Sequence, residues 1–214
     1  MQHEIANILN QYSGKYHFIQ KIEEQIMVAF ELIIRSYHMG GKLLVCGNGG
    51  SNADADHIVG ELLKGFLMKR PVDSDLQEKL KGYGEEGTVL AEKLQGSLPA
   101  INLGAHNSLM TAVLNDIGGT EIFAQQVMGY GKAEDILIGI STSGNSQDVI
   151  NAGIVAKAKN LKTIGLTGNK EGKMDHVFDV IIHAPSAVTA EVQEMHSVIY
   201  HLLCAMVEAE FWDE

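Results

Sequence analysis

Five short apolar runs, at 43–46, 100–103, 136–140, 163–166 and 177–182, constrain this chain more than any other feature. Each has the length of a strand, and stretches with helical spacing at about 53–67, 109–114, 120–129 and 147–158 separate them. A continuous apolar run has no polar face to give to water, so a strand built from it needs cover on both sides. Strands alternating with helices supply that cover, which predicts an α/β fold with a parallel sheet between two helical layers. Ahead of the first run, Phe18, Ile22, Ile26, Phe30 and Ile33 recur at three- and four-residue spacing. They predict a helical segment over about 1–40, stopped by His38-Met39-Gly40-Gly41. From Thr189 onward one more amphipathic helix follows. At 214 residues the chain is expected to form one domain, 1–214.

Two of the strand runs end in small residues that open a helix. Gly47-Asn48-Gly49-Gly50-Ser51 follows the first, and Ser141-Thr142-Ser143-Gly144-Asn145-Ser146 follows the third. Such a junction aims backbone N–H groups and hydroxyls at one point, which suits a phosphate. Two of them in one chain suggest a pocket for a phosphorylated small molecule. Ser51 with Asp54, and Ser74 with Gln77, carry the spacing of a capping box. Residues 73–96 are charged and contain Gly82, Gly84 and Gly87; they are expected to form a surface insertion of two short helices, as decoration, lid or partner surface.

The formal net charge of −11, with no cluster of Lys or Arg, argues against a nucleic-acid partner. It also means that a phosphate would have to be held by short-range donors. No apolar run approaches the roughly 20 residues of a membrane span, and Met1-Gln2-His3-Glu4 lacks a signal-peptide pattern, so no targeting segment is expected. Cys46 and Cys204, the only cysteines, form no CxxC pair and are expected in the core of a cytoplasmic protein.

His57 and Glu61 stand four apart on the helix after the first loop, hence on one face. That spacing suits a shared metal ion, an acid/base pair, or an ordinary surface pair. On the last helix, Gln193 and His201 are two turns apart and can share a broad face; His196 points to the other side. Amid Val198, Ile199, Leu202 and Leu203, each of these histidines could equally be a packed core residue. Asn115-Asp116 reads either as a helix-ending turn or as a polar pair on the rim of a sugar pocket. Lys170 and Lys173 are the cations nearest a strand end, or plain surface charges.

Taken together, Cys46-Gly-Asn-Gly-Gly-Ser51, His57-x-x-x-Glu61, Leu114-Asn-Asp116, Gly139-Ile-Ser-Thr-Ser-Gly-Asn-Ser146, Leu166-Thr-Gly168 and Val192-Gln-Glu-Met-His196 resemble the SIS (sugar isomerase) fold. Within it they resemble the phosphoheptose isomerases, which interconvert sedoheptulose 7-phosphate and a heptose 7-phosphate. The resemblance covers the chain from about residue 15 onward, apart from the insertion. It implies a three-layer α/β/α sandwich on a five-stranded parallel sheet. It also implies that Ser141, Thr142, Ser143 and Ser146 hold the phosphate, and that Asn48, Gly49, Gly50, Ser51, Asn115 and Asp116 contact the sugar. By the same resemblance His57, Glu61, Gln193 and His201 bind one zinc ion, Glu61 and Gln193 also meet the substrate, and Glu61 and His201 form the acid/base pair. A homotetramer with sites completed across subunits is implied as well. Asn52, Asp56 and Thr189-Ala190-Glu191 depart from the family pattern at the rim, and the insertion is foreign to it.

Other readings share the fold: a non-catalytic sugar-phosphate sensor, a protein that associates with the bacterial replication initiator, or an isomerase of another ketose phosphate. The replication-associated type lacks the His/Glu/His set, which is filled here. The expected chemistry is aldose–ketose isomerisation through a cis-enediol.

Overall fold

The structure, a computed structural model, describes residues 2–212; Met1, Asp213 and Glu214, at the ends of the expected 1–214 domain, lie outside the described residues. Two helices, α1 (Gln2–Lys15) and α2 (Glu23–His38), lead into β1 (Leu43–Gly47) and α3 (Gly50–Leu63). After α4 (Ser74–Lys81) and α5 (Gly84–Lys93) come β2 (Ala100–Asn102), α6 (Asn107–Asp116), α7 (Ile122–Tyr130) and β3 (Ile136–Ile140). The chain continues through α8 (Gln147–Ala158), β4 (Lys162–Thr167), β5 (Val180–His183) and α9 (Thr189–Phe211).

The strands form one sheet in the order β2-β1-β3-β4-β5, every neighbouring pair parallel. Side-chain parity divides the core between its two faces. Leu43, Val45, Ile136, Ile138 and Ile164 join the core beneath α2, α3 and α9. Leu44, Cys46 and Leu137 join a second core with Phe123 of α7 and Val149 and Ile150 of α8. The result is the expected three-layer α/β/α sandwich. Cys46 and Cys204 are buried and free, and burial pushes both thiols up. No helix among the described residues is long and apolar enough to cross a membrane.

Several boundaries differ from the sequence expectation. The N-terminal segment is two helices rather than one, because a 3-10 turn over His17–Lys21 intervenes and carries Ile19 into the core. Helix α3 ends at Leu63 rather than near 67, and its first residues lack the Ser51 cap: Gly49 precedes the helix without a side-chain bond. Asp73, not Ser74, caps α4, its side chain accepting from the Leu76 N–H at 2.9 Å. The last strand starts at Val180 rather than 177, because a 3-10 turn over Lys173–His176 runs just before it. Segment 73–96 is a closed excursion. Its ends meet where Pro71 bridges Gln95 and the Gly96 N–H donates to Arg70 O at 2.7 Å.

Candidate active site

In the order β2-β1-β3-β4-β5, successive connections depart to opposite sides at the β1/β3 boundary. An open α/β sheet leaves its ligand crevice there, beyond the carboxyl ends of the strands. Gly47 and Ile140 pair across that boundary, so the two loops singled out in the sequence stand side by side. They are not equivalent. In the first, Gly49 has φ +55, a conformation glycine adopts without strain, and α3 starts at the next residue. The N–H groups of Ser51, Asn52 and Ala53 are already taken by Asn48 O and Gly49 O. Ser51 is buried with its Cβ under Gly47, so of the loop residues assigned to the sugar it is the one turned inward.

The second loop instead gathers side-chain hydroxyls. Ser141 Oγ lies 2.8 Å from Ser146 Oγ and 3.5 Å from Ser143 Oγ. Ser146 precedes α8 without spending its hydroxyl on a cap, while in the first turn the Val149 N–H donates to Asp148 Oδ1 at 2.9 Å. The loop is braced from outside, since Asn145 Oδ1 accepts from Lys173 N at 3.0 Å. Three hydroxyls thus cluster just ahead of α8.

On the sheet face that α3 and α9 cover, those two helices bring three side chains together. His57 Nε2 is 3.0 Å from Glu61 Oε1 and 3.3 Å from His201 Nε2. Phe66 stacks on the His201 ring, with centroids 5.5 Å apart. Glu61 directs its other oxygen to Lys64 Nζ at 3.4 Å. Gln193 lies at the opposite end of the same stretch of α9, its amide over Gly50, where an added Cβ would come within 2.4 Å of Nε2. Burial and the neighbouring His57 hold the His201 pKa below the usual imidazole value, which favours a neutral ring at neutral pH.

Among the described residues no group of three or more His, Cys, Asp and Glu side chains is placed so that it could hold a metal ion as it stands. The donor set of His57, Glu61 and His201 nevertheless fits a cation. Two imidazole nitrogens and a carboxylate oxygen converge, and a bare imidazole nitrogen 3.0 Å from a carboxylate oxygen sets two acceptors against each other. A proton or a metal ion relieves that contact.

Other residues assigned from the sequence lie apart from this cluster. Asn115 and Asp116 end α6, exposed, with Asn115 Nδ2 donating to Asp116 Oδ1 at 2.7 Å. Thr142 and Ser143 stay at the second loop, Ser143 fully on its surface. Asn48 does not stand free: its amide donates to both oxygens of Asp148, at 3.0 and 2.9 Å, tying the first loop to α8. Sequence reasoning missed Asp148, since an acidic residue in a first helical turn is ordinary. It also missed Asp54 and Tyr200, which contact one another behind His57, and Tyr12 and Lys15 of α1, which line a surface cavity with Ser197 and His201. Burial raises the Asp54 pKa against the opposing pull of Tyr200 and His57, and burial together with Asp54 raises that of Tyr200.

His196 is the packed histidine anticipated for this helix. It is fully buried, with Nε2 3.1 Å from Thr167 O, and burial lowers its pKa from 6.5 to about 4. Unfolding releases the ring to its ordinary value, so its contribution is intact above pH 6.5 and is lost as pH falls toward 4. Linkage puts the loss near 2 kcal/mol at pH 5. Denaturant unfolding of His196→Gln should lack this part of the acid destabilisation; equal pH dependence in both proteins would contradict it.

Comparisons with known proteins bear on the family and the fold. SIS-domain family models match residues 101–209 and 9–94. The phosphoheptose isomerase of Helicobacter pylori is 37% identical over 193 residues, 90% of this chain and 88% of that protein. That of Burkholderia pseudomallei is 39% identical over 175 residues, 82% of this chain and 76% of that one. Among solved structures, the phosphoheptose isomerase of Neisseria gonorrhoeae superposes with a TM-score of 0.73 at 31% identity, covering 97% of this chain and 98% of that one. The enzyme of Francisella tularensis gives 0.74 at 31% identity, covering 90% of each.

Proposed function

Because the chain belongs to the SIS-domain family and, within it, to the phosphoheptose isomerases, we propose that it interconverts the ketose and aldose forms of a phosphorylated sugar, sedoheptulose 7-phosphate first, with the whole chain as one SIS domain and 73–96 as an insertion in it. The observation that carries the reading is the convergence of His57, Glu61 and His201 within 3.0 and 3.3 Å, in a chain whose second loop also clusters the Ser141 and Ser146 hydroxyls. A site that only bound sugar phosphate would need the hydroxyl loop and not the acid/base cluster.

In the ketose-to-aldose direction, the phosphate sits on the second loop and at the N-terminus of α8, which fixes how far the reacting end reaches. Glu61 removes a proton from the hydroxymethyl carbon, and His201 protonates the carbonyl oxygen, giving a cis-enediol. Glu61 then returns its proton to the former carbonyl carbon while His201 recovers one from the other hydroxyl, so no proton is gained or lost overall. The two oxygens of Glu61 allow a division of labour, Oε1 toward His57 and Oε2 free of the cluster apart from exposed Lys64. Zinc held by His57, Glu61, His201 and Gln193 would supply positive charge that stabilises the enediolate oxygen.

Asn52 and Asp56, two departures from the family pattern, face β2 and its loop: Asn102 Nδ2 donates to Asp56 Oδ1 at 2.7 Å, and Asn52 lies against Gly104. They leave the acid/base cluster intact and bear on the sugar's far end. Leu114 on α6 and Ile117 just past its end are exposed on either side of Asn115 and Asp116, a face suited to a second subunit of the proposed homotetramer. Incubation of the purified protein with sedoheptulose 7-phosphate, with and without zinc, should yield the aldose, faster with zinc. A thermal shift with sugar phosphates but no aldose would move the reading to a sensor. Conversion of a different ketose phosphate alone would keep the reaction and change the substrate.

A further inference from the structure

We propose that Tyr200 and Asp54 are positioning residues that fix the ring tautomer of His57 through a carboxylate–phenol–imidazole chain ending on its Nδ1. The inference deepens the reading above and rests on His57 belonging to the reacting centre. Asp54 Oδ1 accepts from the Tyr200 hydroxyl at 3.3 Å, and the same phenol oxygen lies 3.0 Å from His57 Nδ1. A phenol has one proton to give, and a carboxylate only accepts. With the proton directed to Asp54, the phenol oxygen accepts from His57. Nδ1 therefore carries the ring hydrogen, and Nε2 is left bare. That bare nitrogen is the one turned to Glu61 Oε1 and His201 Nε2.

The surroundings hold the chain in this sense. Asp54 and His57 are three apart on α3 and share a face. The second oxygen, Asp54 Oδ2, is buried without a partner, so Tyr200 is the side-chain donor this carboxylate has. Tyr200 is 3% exposed, and its ring sits edge-on to both His57 and His201, with centroids 5.5 and 4.7 Å apart. A buried phenol pinned between two histidines cannot turn its hydroxyl elsewhere without abandoning Asp54. Turning the His57 ring over would set carbon against the phenol oxygen, so the same contact fixes ring orientation. An outer partner of this kind also raises the basicity of the inner nitrogen. Residues 200 and 54 thus prepare His57 to offer a lone pair.

The test reads the tautomer directly. In metal-free, nitrogen-15-labelled protein at pH 8, the His57 imidazole is expected to give the NMR pattern of the Nδ1–H form. Tyr200→Phe keeps the ring and removes the hydroxyl; it should lose that preference, and zinc affinity measured against a chromophoric chelator should fall about tenfold or more. Asp54→Ala should act in the same direction. An Nε2–H pattern in the unaltered protein would overturn the proposal, as would a Tyr200→Phe protein with unchanged tautomer. If that variant fails to fold, the pattern of the unaltered protein decides. Failure of the isomerase reading is distinguishable, because absent turnover and absent zinc binding leave the metal-free tautomer measurement standing.

Discussion

Glu61→Gln is expected to lower kcat about a hundredfold to ten-thousandfold, the range of a lost general base. The substitution keeps the size of the side chain and its place on α3, but an amide oxygen is too weak a base to take a proton from carbon. It also weakens the oxygen that faces His57 Nε2 at 3.0 Å and is proposed as a zinc ligand, so zinc content should fall with it. Binding of inorganic phosphate should stay within a factor of a few. The hydroxyls proposed to hold it, Ser141 and Ser146, sit on a different loop and bond to each other, not to Glu61. Turnover near that of the unaltered protein would remove Glu61 from the chemistry. Lost phosphate binding would mean that the two loops do not divide the work as described.

The largest expected effect on stability lies behind Glu61, at Arg70 and Glu208. Both are buried, 0% and 1% exposed, with Arg70 Nε 2.7 Å from Glu208 Oε1. Arg70 donates further to the carbonyls of Leu62 and Glu61, each at 2.8 Å, and lies over the Trp212 ring at 4.7 Å. Glu208 accepts from the N–H groups of Phe66, Leu67 and Met68 at 2.8, 2.7 and 3.2 Å. Removing one partner leaves a buried charge with nothing opposite, at a cost of about 3–5 kcal/mol. Arg70→Met or Glu208→Gln should therefore lower Tm by roughly 6–20 °C at fixed protein concentration. The double variant Arg70→Met/Glu208→Leu removes both charges but strands those backbone N–H groups, so it should recover only part of the loss. Full recovery would show that the pair acts through charge alone. Thermal melts of the three variants decide this, and their residual activity reports how well Glu61 and Phe66 stay placed.

The same pair explains where sequence reasoning stopped short. The apolar spacing after the first loop runs on toward residue 67, but α3 ends at Leu63. The carbonyls of its last turn are taken by an arginine from beyond the helix, held by a carboxylate 138 residues away. No local pattern announces such a bond. Strand existence was legible because buried parallel strands are apolar on both faces, and the sheet order then put the two loops at one crevice. His57 and Glu61 were visible as a spacing. That His201 joins them depends on how α9 crosses α3, and that Tyr200 and Asp54 stand behind His57 depends on the same crossing. Ser51 looked like a cap and a sugar contact, yet Gly47 leaves room for it underneath, and it turned inward.

The central claim is that a proton leaves carbon for a side chain of this cluster and returns through an enediol. Running the sedoheptulose 7-phosphate reaction in deuterium oxide and recording the sugars by NMR tests it most directly. Deuterium should enter at the carbon beside the carbonyl, at a rate tied to turnover and lost in Glu61→Gln. Aldose formed with its hydrogen fully retained would contradict the account, because a hydride shift would then have done the work assigned to Glu61.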